Sequence, residues 1–153
     1  MATKVKPIPD GYHAVTPYLM VHDGAAALDF YRRALGAKEV MRFEHQGKIG
    51  HAEIQIGDSM VMLADEFPTV EPRSPKSLAG TSVTIMLYVA DVDATVAQAV
   101  AAGAKVRRPI QDQFYGDRSG EVVDPFGHSW HIATHKEEVT LEEVKRRMAQ
   151  AGK

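Results

Sequence analysis

Apolar and polar positions along the first half of the chain change period in a readable order. "VTPYLMVH" (15–22) alternates with period two, as a half-buried strand does. Asp23, whose side chain can accept from the free N–H groups of a first helical turn, comes next and predicts a helix start. "AAALDFYRRALG" is rich in helix formers and ends at Gly36, the residue best suited to the left-handed conformation past a helix end. Three more alternating runs follow, "KEVMRFEH", "KIGHAEIQI" and "SMVMLAD", separated by the turn pairs Gln46-Gly47 and Gly57-Asp58. The pattern predicts strand, helix, strand, strand, strand.

That plan returns in the second half. "LMVHDGAA" (19–26) matches "LYVADVDA" (87–94) at an offset of 68, so Leu19, Val21, Asp23 and Ala26 recur as Leu87, Val89, Asp91 and Ala94. "GAK" at 36–38 returns at 103–105, an offset of 67, and "GHAEIQIGDS" (50–59) aligns with "GEVVDPFGHS" (120–129) at 70. Two copies of so long a period indicate a duplicated supersecondary unit, since solenoid repeats are shorter and more numerous. The second copy reads as strand "SVTIMLYV", cap Asp91, a helix to Gly103, and strands "KVRRPIQ", "GEVVD" and "SWHIAT". A single domain is expected, with module one at about 12–66, a Pro-rich linker or lid at 67–82, module two at about 83–134 and a tail helix at about 140–151. In the tail, Thr140 and Glu143 have capping-box spacing, Leu141, Val144 and Met148 share a face, and Glu142/Arg146 and Glu143/Arg147 are spaced for ion pairs. That stripe is suited to docking on its own domain or on a second subunit.

Strand alternation divides the residues between two faces. Val83, Ile85, Leu87 and Val89 form an apolar set suited to the underside of a helix, and Thr84, Met86 and Tyr88 a mixed one. The first copy repeats this with Pro17, Leu19 and Val21 against Thr16, Tyr18 and Met20. Mixed faces of this kind suit the wall of a small-molecule cavity. In "GHAEIQI", Ala52, Ile54 and Ile56 are the core set, and His51, Glu53 and Gln55 stand on the other face, as a site or as a solvated strand surface. His131 shares its face with Ser129 and Ala133. Trp130 falls on the helix-facing side, His128 in the turn, and His135 past the strand. Tyr115 and Arg118 precede a cavity strand, where Arg118 could hold an anionic ligand or pair with Asp117 or Glu121.

Composition narrows the chemistry. Among 153 residues, 18 Lys and Arg face 20 Asp and Glu, with no basic stripe for nucleic acid. No run approaches a membrane span, and "MATKVKPIPDGYHAV" lacks an apolar stretch behind its lysines. Cysteine is absent, which removes disulfides and thiolate chemistry and fits a cytoplasmic protein.

Two βαβββ modules, a helix closed by "GAK" and a final strand after "DPFGHSW" together resemble the vicinal oxygen chelate superfamily, which includes glyoxalase I, bleomycin resistance proteins and dioxygenases. "YGDRSGEVVDPFGHSWHIATH" followed by a charged helix is similar to its PhnB-like branch. The resemblance implies an α+β fold in which the tandem modules form a curved mixed sheet with a cleft, plus the C-terminal helix. It also implies a homodimer. The superfamily's first-strand metal-ligand position falls on Thr16 and Thr84, the middle carboxylate on Glu53, and the last ligand on His131. Only two of these are strong ligands, so the expectation is a small-molecule binder without the usual metal and without another cofactor. Thr16, Tyr18, His51, Gln55, Thr84, Met86, Tyr88, Tyr115 and Arg118 are its expected ligand contacts. Glu53 and His131 are the candidate catalytic pair, titrating together across the cavity. The alternative is a divalent-metal-dependent lyase, isomerase or dioxygenase with its ligands moved to His51, Glu53 and His131.

Overall fold

In the computed structural model, which describes residues 4–152, the strands form two four-stranded mixed sheets of the same design. The first three residues of the N-terminal stretch, and Lys153, lie outside the described part. The chain divides at Gly80/Thr81, inside the expected linker, into two compact units. Among the described residues no helix is long and apolar enough to cross a membrane.

The first unit contains β1 (Tyr18–Val21), α1 (Gly24–Leu35), β2 (Lys38–His45), β3 (Lys48–Ile56), β4 (Ser59–Asp65) and the short α2 (Pro75–Leu78). The strand order is β1-β4-β3-β2, with β1 parallel to β4 and the other pairs antiparallel. Helix α1 starts as expected, with the Asp23 side chain accepting from the Ala26 N–H, and stops at Gly36 in the left-handed region. Its Ala27, Leu28, Phe30, Tyr31 and Ala34 are buried along with Leu19, Val21, Ala52, Ile54, Ile56 and Leu63. One face of the sheet is thereby committed to the helix, and the other is left to Tyr18, His51 and Glu53.

The second unit repeats the arrangement with β5 (Thr84–Tyr88), α3 (Val92–Ala102), β6 (Lys105–Asp112), β7 (Asp117–Val123), β8 (Ser129–His135) and the tail helix α4 (Leu141–Ala151). Its order is β5-β8-β7-β6. Trp130 and Ile132 are buried core residues, and the indole N–H donates to Asp124. Asp124 also accepts from the backbone N–H groups of Phe126 and His128, so the "DPFGH" turn is organised around one buried carboxylate.

The expected elements are present, with differences at their margins. The linker carries α2, capped by Ser74, which its prolines concealed. Strand β7 starts at Asp117, three residues before the expected "GEVVD". Val83 lies outside β5 and is 62% exposed, so it does not join the apolar set with Ile85 and Leu87. In α4 Thr140 accepts from the Glu143 N–H, but Glu143 pairs with both Arg146 and Arg147. Arg147 also bonds Glu137 and the Phe114 carbonyl, which fastens the tail within its own unit.

Helices α1 and α3 are each tied to the last strand of their sheet, at corresponding positions. Asp65, at the end of β4, is buried and accepts from the N–H groups of Gly24 (2.8 Å) and Ile49 (2.7 Å). In the second unit Thr134 accepts from the Val92 N–H (2.9 Å) and donates to the Val89 carbonyl. A Cβ on Gly24 would lie 2.7 Å from Ile49 and 2.9 Å from the Asp65 carboxylate, so the longer side chain is matched by the smallest helix residue. Asp65→Asn replaces an acceptor of two backbone bonds with a group that can accept only through one oxygen. We expect it to destabilise the protein by about 2–3 kcal/mol, read by urea denaturation at unchanged slope.

Candidate functional site

Bulges in the edge strands determine what reaches the face of each sheet opposite its helix. In the first unit the ladder places Tyr18, Met62, Glu53 and Met41 in one row across β1, β4, β3 and β2. In the second the corresponding row is Met86, His131, Glu121 and Arg108. Glu53 and Glu121 therefore occupy equivalent positions, 68 residues apart. The sequence match at offset 70 set His51 against Glu121 instead. The offset of 70 is therefore two positions out of ladder register at this strand, a shift that conserves the face.

In the first unit Tyr18, His51 and Glu53 are joined. The Tyr18 hydroxyl lies 2.6 Å from His51 Nδ1, and His51 Nε2 lies 3.3 Å from Glu53 Oε1. An ionised Glu53 can only accept, which favours the tautomer with a proton on Nε2 and leaves Nδ1 to accept from Tyr18. Tyr12, which the sequence reading did not select, has a buried hydroxyl with no partner at full hydrogen-bonding geometry. It nevertheless lies close enough to Glu53 to act on it. Hydrogen bonding by Tyr12 and then by His51 holds the Glu53 carboxyl below its ordinary range, and burial opposes this without prevailing. Burial, reinforced by the Glu53 charge, raises Tyr18 and takes Tyr12 up to about 12. The carboxylate is thus kept ionised and the two phenols protonated.

A cavity of about 360 Å³ adjoins this group, lined by Tyr18, Met20, Gly50, Ala64, Phe67 and Val70, with Asp65, Glu71 and Pro72 completing it. One wall is the segment after β4, where Phe67 and Val70 form an isolated bridge. Glu66 closes this loop by accepting from the Ser74 N–H (2.8 Å) and the Ser77 hydroxyl, with Arg73 at 3.6 Å. Those bonds, with the Ser77 hydroxyl first, take the Glu66 carboxyl down to about 2.

In the second unit the equivalent carboxylate has different partners. Glu121 is buried and accepts from Arg107 (2.7 Å) and the Ser129 hydroxyl (2.8 Å), with Arg108 at 3.5 Å. Burial alone would raise its carboxyl, but Ser129 and the two guanidiniums hold it below its ordinary range. His131 is its cross-strand neighbour, and its Nε2 is buried without a hydrogen-bond partner.

The remaining expected residues are distributed around these groups. Thr84 donates to Ser129, and Met86 stands beside His131 in the ladder. Tyr88 donates to the buried Asp117, which also binds His135 Nδ1, so Tyr88 and His135 hold β5, β7 and β8 together. Arg118 is occupied by Asp93 and Asp112, and not by Asp117 or Glu121. Tyr115 packs edge-on against Phe114 in the β6–β7 loop. Gln55 is exposed and donates to the Gly57 carbonyl, while Thr16 precedes β1 outside the Tyr18–His51–Glu53 run. The neighbours found for Glu53 are thus Tyr12 and His51, and the neighbour of His131 is Glu121.

Among the described residues no three His, Asp or Glu side chains gather as a divalent ion requires. His51 and Glu53 make two donors, and Glu121 is engaged by arginines. Of the positions that the resemblance assigns to a metal, Glu53 in the first unit and His131 in the second carry strong donors, and Thr16 and Thr84 do not.

Comparison with known proteins accords with this architecture. The chain is 42% identical to an uncharacterised protein of Mycobacterium bovis, over 99% of both chains. It is 30% identical to TioX from Micromonospora sp. ML1, whose crystal structure superposes with a TM-score of 0.65 over 80% of this chain and 98% of that one. The fosfomycin resistance protein FosX from Mesorhizobium loti, at 17% identity, shares the fold with a TM-score of 0.58 over 90% of this chain and 97% of its own. The profile of the Glyoxalase/Bleomycin resistance protein/Dioxygenase superfamily matches residues 12–132. With that match spanning both βαβββ units, the chain belongs to the glyoxalase/bleomycin resistance protein/dioxygenase superfamily.

Proposed function

We propose that this protein, a member of the PhnB-like branch, binds a small, largely apolar molecule in the cavity of its first unit without a resident metal. The observation that carries the reading is Tyr18, which is at once a wall of the apolar cavity and the end of the hydrogen-bonded run to His51 and Glu53. A ligand with an apolar body and one hydroxyl or amide would meet Met20, Ala64, Phe67 and Val70 along its body and this run at its polar end. The charge states also favour binding over turnover. Catalytic acids and bases work best when tuned towards neutrality, whereas Glu53 is shifted down and Tyr12 and Tyr18 up. We also propose a cytoplasmic homodimer, for which the exposed Leu141 and Met148 of α4 offer apolar surface.

Val70 lines the cavity yet is 58% exposed, so a larger side chain there would fill the space without entering the core. In a thermal-shift screen of small phenols and aromatic amides, compounds that stabilise the wild type should lose their effect in Val70→Trp. They should bind about tenfold more weakly, a loss of about 1.4 kcal/mol, in Glu53→Gln. Binding unaltered in Val70→Trp would refute this location. About one tightly held metal per chain, lost in Glu53→Gln or His131→Ala, would establish the metalloenzyme alternative.

The cavity wall should respond to acid through Glu66. Its folded value, about 2, lies below the ordinary 4.5, so its contribution is complete above about pH 4.5 and declines as the pH falls towards 2. Glu66→Gln should therefore melt below the wild type at neutral pH, with the difference narrowing across that window.

A further inference from the structure

The edge strand of the second unit presents two consecutive arginines to one buried carboxylate, an arrangement that regular β structure forbids. Successive strand residues point to opposite faces, so of Arg107 and Arg108 only one should reach Glu121. The ladder shows why both do. Val106 pairs with Val122 and Arg108 with Glu121, so two steps on β6 match one step on β7 and Arg107 is the extra residue of a bulge. The first unit has the same bulge, because Glu39 pairs with Ile54 and Met41 with Glu53, leaving Val40 as the extra residue. The bulge therefore belongs to the module, and only its occupants differ: Val40 and Met41 in one unit, Arg107 and Arg108 in the other.

Those occupants exceed what Glu121 needs. A buried carboxylate requires a counter-charge, and Arg107 supplies it at 2.7 Å with Ser129 adding a neutral donor. Arg108 then adds a second positive charge at 3.5 Å and remains 74% exposed, while Arg107 is 49% exposed. Arg107 uses one terminal nitrogen, Nη1, for both Glu121 and Ser129, which leaves its other terminal nitrogen available. Two guanidiniums against one carboxylate leave an uncancelled positive charge, held in place from below by Glu121 and offering unused N–H donors outward. His131, whose buried Nε2 lacks a partner, is the cross-strand neighbour of that carboxylate.

We infer that the second unit binds an oxyanion group of a small molecule, a carboxylate or a phosphate, on the outward donors of Arg107 and Arg108 above Glu121. Planar guanidinium forks match both groups through paired N–H bonds. Glu121 is a positioning residue in this arrangement, since it orients the forks and does not touch the ligand. The inference stands apart from the cavity of the first unit, which could be empty of ligand without affecting it.

The test is titration of the intact protein with sodium benzoate, inorganic phosphate and, as a neutral control, benzamide, following the arginine Nε–H resonances by NMR. Saturable shifts of Arg107 and Arg108 with benzoate or phosphate but not benzamide are expected, and the tighter of the two anions identifies the group. Arg108→Gln, at an exposed position that leaves the Arg107–Glu121 pair in place, should keep the folded spectrum and weaken binding about tenfold or more. Arg42→Gln, which removes an arginine paired with Glu39 in the first unit, should leave binding unchanged. Absence of saturable shifts with either anion up to about 10 mM, a range that includes weak millimolar sites, would overturn the inference. So would equal binding of benzamide, undiminished binding in Arg108→Gln, or equal loss in Arg42→Gln.

Discussion

The contact on which each unit depends is the bond from the side chain near the end of its last strand to the first N–H of its helix. A helix begins with backbone donors that have no internal partner, and burying such an end without acceptors is costly. Asp65 and Thr134 provide those acceptors from the sheet itself, so the helix start is attached to β4 or β8 at one residue. With that point set, the apolar stripe of the helix covers one sheet face and excludes it from any other use. Asp65 extends the tie to Ile49 and so also positions the beginning of β3, two residues before His51. The size exchange between the copies, Asp with Gly in one and Thr with Val in the other, shows the two partners adjusting to each other while the bond is retained.

Duplication supplied two equivalent carboxylates, and the surrounding residues have given them different work. Glu53 stands beside Val40 and Met41, which bring no charge, so its partners are the Tyr12 phenol and the His51 imidazole, and its negative charge remains available as an acceptor. Glu121 stands beside two arginines and spends its charge on them. One module therefore offers an ionised carboxylate, reached through His51 and Tyr18, next to an apolar cavity, and the other presents two guanidiniums. Another carboxylate, the buried Asp117, is given to structure, since Tyr88 and His135 engage its two oxygens. Burial of a carboxylate thus says little about its use until the donors around it are known.

How much of this was legible follows from the range of each interaction. Strands β2, β3 and β4 are bounded by Gly and Asp turn residues that act locally, and their limits in the structure are those of the pattern. The placement of Tyr18, His51 and Glu53 on one face required only a period of two. Helix α2 was hidden because Ser74 and Pro75 form a helix start as readily as a turn, and the choice was made by Glu66 accepting from Ser74 and Ser77. Tyr12 lay outside any periodic segment, so nothing in its neighbourhood pointed to Glu53. Arg107 and Arg108 were not singled out, because alternation alone sets consecutive residues on opposite faces and the bulge exists only in the pairing of β6 with β7.

By itself the sequence determined the duplicated βαβββ plan, the helix caps at Asp23 and Asp91, the turn punctuation and the division of each strand into two faces, all of which rest on contacts between residues close in the chain. The tertiary structure alone decided which carboxylates are equivalent, which arginines they meet and which acceptors receive the helix starts. Those depend on ladder register between strands and on groups brought together from more than 40 positions apart, such as the Gly24 N–H with Asp65 and the Val92 N–H with Thr134. Periodicity assigns a residue to a face, but only pairing between strands assigns it a neighbour.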